Sequence, residues 1–150
     1  MRTFLNFFLH IGGTLKHKFW VFIYMYGIIL KLFKRALIHD FSKFSPSEFK
    51  GFIQVIHKLR SMTYGSDEYK ESLKKIKPSI NLHYQRNSHH PEHHKNKLYD
   101  MDLVDMIEML ADWKAAIRRH KDGNIERSFE QNRERFQIKG QTEAIMRNSV

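Results

Sequence analysis

The chain has 150 residues, of which 41% are hydrophobic and 28% are charged. This length and composition fit one globular domain that buries roughly two-thirds of the surface of its unfolded chain. The absence of cysteine excludes a disulfide framework and a thiolate zinc site, which fits a reducing compartment and a cytoplasmic location. The formal net charge of +10 predicts attraction to phosphates, polyanions or anionic lipid. It leaves nucleic acid open as a partner, although the basic residues form no arginine-rich block.

The N-terminal part of the chain is strongly apolar. Its longest apolar run, residues 19–30, is shorter than the roughly 20 residues that cross a bilayer, and Lys31 follows directly. We therefore expect no membrane span and interpret this run as a buried core helix. The first residues imitate a signal peptide but lack an Ala-x-Ala-like cleavage site, so we do not expect secretion.

Helical patterns follow one another along the chain, and alternating strand patterns are absent. Residues 14–38 predict two helices with a bend at Gly27. A further helix over residues 45–59 should begin with a capping box, in which Ser45 is the cap and Glu48 completes the box.

Two shorter helices are predicted next, over residues 68–76 and 80–90. In the second of them His83, Asn87 and His90 are spaced by four and three residues, which places the three side chains on one face of a helix.

A long helix should begin at Asp100 as its cap. Its apolar stripe is formed by Leu103, Met106, Leu110, Trp113 and Ile117. A neighbouring stripe carries three carboxylates, Asp105, Glu108 and Asp112, which is more acid than a face beside a core normally tolerates. We therefore expect cationic groups to lie against it.

The last predicted helix spans residues 125–136, and residues 140–150 are expected to form a loosely ordered tail. Together these patterns predict an all-α fold, a single-domain helical bundle of about six helices that occupies residues 1–139.

Histidines and carboxylates recur along this helical framework. The series consists of His17, His39, Asp40, His83, His89, His90 and Asp112. Imidazole nitrogens and carboxylate oxygens suit borderline and hard divalent metals. The sequence therefore predicts a metal site.

Adjacent histidine and aspartate side chains can bind the same ion, or neighbouring ions, when a helix end splays them apart. His39 and Asp40 form such a pair, and Lys43 could direct its ammonium group toward an anion beside them. The dense histidine run over residues 89–94 has two interpretations, a surface loop that scavenges metal or part of a built site, and His83 favours the second.

Four motifs resemble, in their order, the HD-domain superfamily of metal-dependent phosphohydrolases: His17-x-x-x-Val21, Ala36-Leu37-Ile38-His39-Asp40 with Lys43, His83 followed by His89-His90-x-Glu92, and Ala111-Asp112-Trp113-Lys114-Ala115-Ala116. The pattern is closest to the members that hold two or more metals. The segments 39–44, 89–92 and 108–113 also resemble an uncharacterised family of small HD-like proteins from bacteria and viruses. The resemblance extends over residues 14–120.

The resemblance implies a fold of the HD type with two divalent ions, and it does not distinguish Fe, Mn, Co, Zn and Mg. The implied ligands of the core position are His17, His39, Asp40 and Asp112. His83, His89 and His90 would complete a second position, and Lys43 would contact substrate phosphate. The interval from His17 to His39 is shorter than in the superfamily, and His93 and His94 have no counterpart there.

The leading hypothesis is a hydrolase that cleaves a phosphomonoester or phosphodiester, such as a nucleotide, with metal-activated water. Asp40, Lys43 and Glu92 are its candidate catalytic residues, while Lys43, Asn87 and His93 are candidates for substrate binding. Two alternatives stay open: a basic helical module that binds nucleic acid or protein and holds a structural metal, and a di-iron oxygenase of the HD type. The sequence assigns no oligomeric state.

Overall fold

The computed structural model describes residues 2–63, 65–119 and 123–149. Over these ranges the chain forms seven α-helices and three short 3-10 turns, with no β-strand, which confirms the all-α class. The helices are α1 (Arg2–Ile38), α2 (Pro46–Leu59), α3 (Asp67–Lys75), α4 (Lys77–Arg86), α5 (Leu103–Ile117), α6 (Ile125–Phe136) and α7 (Gly140–Arg147). The 3-10 turns are Phe41–Phe44, Pro91–His93 and Lys97–Asp100.

The chain divides into two compact units, Met1–Ile38 and His39–Val150, where the sequence predicted one domain. The first unit is the single helix α1, which continues through Gly27 and is not divided there. The expectation of a buried core helix is wrong, because no residue of α1 is buried: one helix alone offers its apolar side chains nothing to pack against. Among the described residues, no helix combines the length and the apolarity that crossing a bilayer requires, as predicted.

Helices α5, α6 and α7 contribute most of the hydrophobic core of the second unit. Its buried members are Met101, Met109, Leu110, Trp113, Phe129, Phe136, Ile138 and Met146. The predicted helix over 125–136 is observed as α6. The segment expected to be a loose tail instead contains α7, because Met146 is 0% exposed and anchors it in this core.

The cap of α5 is Asp102, two residues later than predicted. The Asp102 side chain accepts a hydrogen bond from the backbone N–H of Asp105, and the Asp105 side chain accepts one in return from the backbone of Asp102. Asp100 instead accepts hydrogen bonds from Asn96. The reciprocal pair satisfies backbone donors that the start of a helix otherwise leaves without partners.

Helices α2 and α4 approach each other closely at Gly51. A Cβ atom at this position would lie 2.1 Å from Ser79 Oγ, so only glycine fits the observed separation of the two helices. Four residues further along, Val55 is buried in α2, and α4 carries the buried His83. The contact at Gly51 therefore fixes the position of α4 against α2. Helix α4 ends at Arg86, four residues earlier than predicted.

Replacing Gly51 by leucine is expected to destabilise the second unit by roughly 1–3 kcal/mol, because the helices must separate to admit the side chain. Urea unfolding followed by circular dichroism measures the change. Lys50→Leu is the matched control, since Lys50 is an exposed neighbour on the same helix. Equal stability of the two variants would show that α2 and α4 are not in close contact at this point.

Candidate metal centre

The central pair of the site lies at the turn that follows Ile38. Asp40 has a φ angle of 56°, in the left-handed region that aspartate tolerates better than most residues. Next to this turn, the Nε2 atom of His39 lies 3.4 Å from Asp40 Oδ2. The two adjacent side chains therefore converge on one point, where the sequence predicted that they diverge.

A first group of ligand atoms forms where this turn meets α5. His39 Nε2 lies 3.5 Å from Oδ1 of Asp112, in addition to its contact with Asp40 Oδ2. One imidazole nitrogen and two carboxylate oxygens thus lie within 4.8 Å of one another. These are the residues that the sequence placed at the core position, apart from His17.

A second group of ligand atoms surrounds the other oxygen of the same aspartate. Asp40 Oδ1 lies 3.1 Å from His83 Nε2 and 3.7 Å from His89 Nε2. His90 Nε2 lies 2.9 Å from His83 Nε2 and belongs to the same group. Asp40 therefore contributes one oxygen to each group, which is the arrangement of a carboxylate that bridges two ions.

The two groups fit divalent cations in spacing and in chemistry. Ligand atoms bound about 2.1 Å from a common ion lie roughly 3.0–3.4 Å from each other, close to the separations between these atoms. Asp40 Oδ1 and His89 Nε2 are buried and have no hydrogen-bond partner among the described residues. Since buried polar atoms without partners are rare and costly, a cation that binds both accounts for their placement.

Glu108 accepts hydrogen bonds from two of the imidazoles, at the ring nitrogen that faces away from Asp40. Its Oε1 atom lies 2.8 Å from Nδ1 of His39 and 3.2 Å from Nδ1 of His89. Because a carboxylate only accepts hydrogen bonds, both Nδ1 atoms donate, so in the neutral form that binds a metal each ring has its lone pair on Nε2, toward Asp40. The acidic stripe of α5 thus lies against cationic or proton-donating groups, as expected.

Glu48 holds His83 in the same way. This glutamate is 0% exposed and accepts hydrogen bonds from His83 Nδ1 at 2.9 Å and from the Ser42 hydroxyl at 2.9 Å. Arg86 lies 3.1 Å from its second oxygen. The predicted capping box is therefore wrong: Ser45 makes no capping hydrogen bond, and its hydroxyl instead accepts one from Arg86 Nη1 at 2.9 Å.

Protonation follows from these contacts. Hydrogen bonds to Asp112, Asp40 and Glu108 raise the pKa of His39 to about 11. Burial raises the pKa of the Asp40 carboxyl, but its contacts with His39, His83 and Lys43 outweigh burial and hold that pKa far below its ordinary value. Without metal, His39 is thus protonated, and together with Lys43 it balances the carboxylates around it.

Burial acts in the opposite direction on a second imidazole. It lowers the pKa of His90 to about 3, with the neighbouring His89 and His83 adding to the effect. His90 is therefore neutral at physiological pH, the form in which an imidazole binds metal.

A family model matches residues 7–150, nearly the whole chain. The chain belongs to DUF5662, a family of unknown function. No curated protein and no solved structure matches it. Membership in DUF5662 assigns no chemistry to the chain.

Lys43 lies beside the aspartate that the two groups share. Its Nζ atom forms an ion pair with Asp40 Oδ2 and lies 5.5 Å from the centroid of the Phe52 ring. The side chain is 33% exposed, so the ammonium group is open to solvent on one side. In this DUF5662 chain the predicted phosphate-binding lysine therefore lies at the edge of the metal centre.

Besides Lys43, four predicted site residues lie outside the two groups of ligand atoms. His17 is an exposed residue of α1 and belongs to none of the groups that the described residues form. Glu92 forms an ion pair with Arg135, and His93 is exposed. Asn87 donates hydrogen bonds to Ser42 Oγ and to the carbonyl of His83, behind that imidazole. Their roles as ligand, catalyst and substrate contacts stay predictions, and these positions do not support them.

Proposed function

We propose that the chain is a metal-dependent phosphohydrolase that binds two divalent ions and cleaves a phosphomonoester or phosphodiester, such as a nucleotide. The observation that carries the proposal is the single carboxylate of Asp40, which contributes one oxygen to each of two adjacent groups of histidine and carboxylate ligands. Two ions held by a shared carboxylate are suited to clamp the oxygens of a phosphoryl group.

The motif order that resembles the HD-domain superfamily supports the same assignment. His39 and Asp40 lie together, and Asp112 reaches them from a later helix, as the resemblance implies. His83, His89 and His90 form the second group around the same aspartate. We therefore place this DUF5662 chain among HD-type proteins as part of the proposal.

Divalent ions in this centre would supply Lewis acidity and lower the pKa of a bound water. The chain itself keeps the ligand atoms in position, because Glu108 and Glu48 fix the histidines through hydrogen bonds to Nδ1. Lys43 is free to exchange its contact with Asp40 for a phosphate oxygen, so it would stabilise the charge of the substrate. The positive net charge of the chain would help to attract this anionic substrate.

The proposal predicts hydrolysis that depends on metal. Protein purified without a histidine tag is stripped with a chelator and reloaded with Mn²⁺, Co²⁺, Zn²⁺, Mg²⁺ or Fe²⁺. It is then tested against p-nitrophenyl phosphate, bis(p-nitrophenyl) phosphate and a nucleotide panel. We expect about two ions per chain by elemental analysis and turnover that chelation abolishes and at least one metal restores.

Lys43→Met separates phosphate chemistry from metal binding. This variant is expected to retain its metal while hydrolysis falls by about 100-fold, because a charged group that stabilises phosphate is lost. Oxygen consumption by the iron-loaded protein without any phosphoester cleavage would favour an oxygenase and overturn the proposal. So would a protein that binds no metal but binds nucleic acid with a steep salt dependence, which is the behaviour of a basic binding module.

A further inference from the structure

Large apolar side chains line one face of α1 along nearly its whole length. They recur at spacings of three, four and seven residues, which places them on one side of a helix. This apolar face consists of Phe4, Phe8, Ile11, Leu15, Phe22, Tyr26, Ile29 and Phe33. Its members are between 41% and 69% exposed. Such a continuous exposed apolar surface marks an interaction site.

The charged side chains of α1 are all basic. The helix contains six of the 26 Lys and Arg residues of the chain and none of its 16 Asp and Glu residues. The six are Arg2, Lys16, Lys18, Lys31, Lys34 and Arg35. In helical register, Arg2, Lys31 and Arg35 lie opposite the apolar face, Lys16 and Lys34 lie beside it, and Lys18 lies within it. An apolar face and a cationic face share this one helix.

We propose that α1 binds along the surface of an anionic lipid bilayer, with its apolar face in the acyl boundary and its cations at the headgroups. A helix with these two faces lies in the plane of an interface. Its 37 residues extend for about 55 Å, which spreads the contact over many lipids. Trp20 and Tyr24 add aromatic rings of the kind that settle at headgroup level. The proposed binding of α1 to a bilayer does not depend on the candidate metal centre.

Charge favours lipid over a second copy of the chain. Two α1 helices packed on their apolar faces would leave Arg2, Lys31 and Arg35 of each helix on the outside of the pair, and neither helix carries a carboxylate to balance its cations. Paired coiled-coil helices normally carry opposite charges beside the apolar seam. Anionic headgroups supply the opposite charge that α1 lacks, and they do so along the full length of the helix.

Vesicle flotation of the full chain tests this assignment. Binding to phosphatidylcholine vesicles that contain phosphatidylserine is expected to exceed binding to phosphatidylcholine alone and to weaken as salt is added. Phe8→Glu/Phe22→Glu places two carboxylates on the apolar face. Asn6→Glu/His10→Glu, the matched control, adds the same two charges on the polar side. We expect the partition coefficient of the first variant to fall at least about 100-fold below that of the control.

Two results would overturn the proposal. One is no binding of the unsubstituted chain to either vesicle at low salt. The other is a stable dimer in lipid-free solution, seen by light scattering after size exclusion, if Phe8→Glu/Phe22→Glu dissociates it. Such a dimer would show that the apolar face of α1 binds a second copy of the chain. Circular dichroism confirms that each variant keeps its helix content. Asp40→Asn is expected to partition like the unsubstituted chain, so failure of the enzymatic proposal is distinguishable from failure of this one.

Discussion

Asp40→Asn is expected to release at least one of the two ions and to lower phosphoester hydrolysis by more than about 100-fold. Asparagine has nearly the same size as aspartate, but its amide nitrogen carries no lone pair for a metal. One of the two ligand groups therefore loses its oxygen. The other keeps an oxygen without the negative charge that balances the ion. Because both groups share this residue, one substitution damages both positions.

Elemental analysis and steady-state hydrolysis are measured on the same preparations. Asp67→Asn is the matched control, since its carboxylate is 98% exposed and lies at the start of α3. The control should keep its full metal content and activity. A thermal melt establishes that Asp40→Asn is folded. If the folded variant bound two ions and hydrolysed substrate at the rate of the control, Asp40 would not be the bridging ligand.

The candidate ligand residues were predictable because their chemistry is visible in residue type. The six that meet in the structure are His39, Asp40, His83, His89, His90 and Asp112. Few side chains other than imidazole and carboxylate bind such metals in a chain without cysteine, so a dense and ordered series of them is informative without coordinates. The helix α6 was predictable for a related reason, since its apolar period alone defines a face.

The residues that hold the ligands were harder to predict. Glu48 follows a serine and a proline in a pattern typical of a helix start. The local sequence carries no sign that its carboxylate accepts a hydrogen bond from His83, which is 35 residues away. His17 is the converse case: its residue type suits a metal ligand, and it lies exposed on α1. Apolarity likewise did not distinguish a core helix from an exposed one, because both have the same composition.

Glu48→Ala is expected to destabilise the second unit by about 3 kcal/mol and to weaken metal affinity about 10–100-fold. The destabilisation has two sources. The alanine leaves a cavity in a position with no solvent access, and it leaves His83 Nδ1 and the Ser42 hydroxyl without their buried acceptor. Arg86 contributes less to the loss, because its side chain is 41% exposed and water can replace the carboxylate. Urea unfolding and competitive chelation measure the two effects.

Glu48→Gln separates the two effects because it keeps the volume and one acceptor oxygen but removes the charge. We expect most of the stability to return while metal affinity stays lowered, since a neutral amide no longer raises the basicity of His83 Nε2 through the hydrogen bond at Nδ1. Glu71→Ala, at a side chain that is 64% exposed, should change neither quantity measurably. The contrary result is that Glu48→Gln binds metal as tightly as the unsubstituted chain. That result would show that the carboxylate contributes only to the packing of α2 against α4. It would also show that His83 needs no charged partner to act as a ligand.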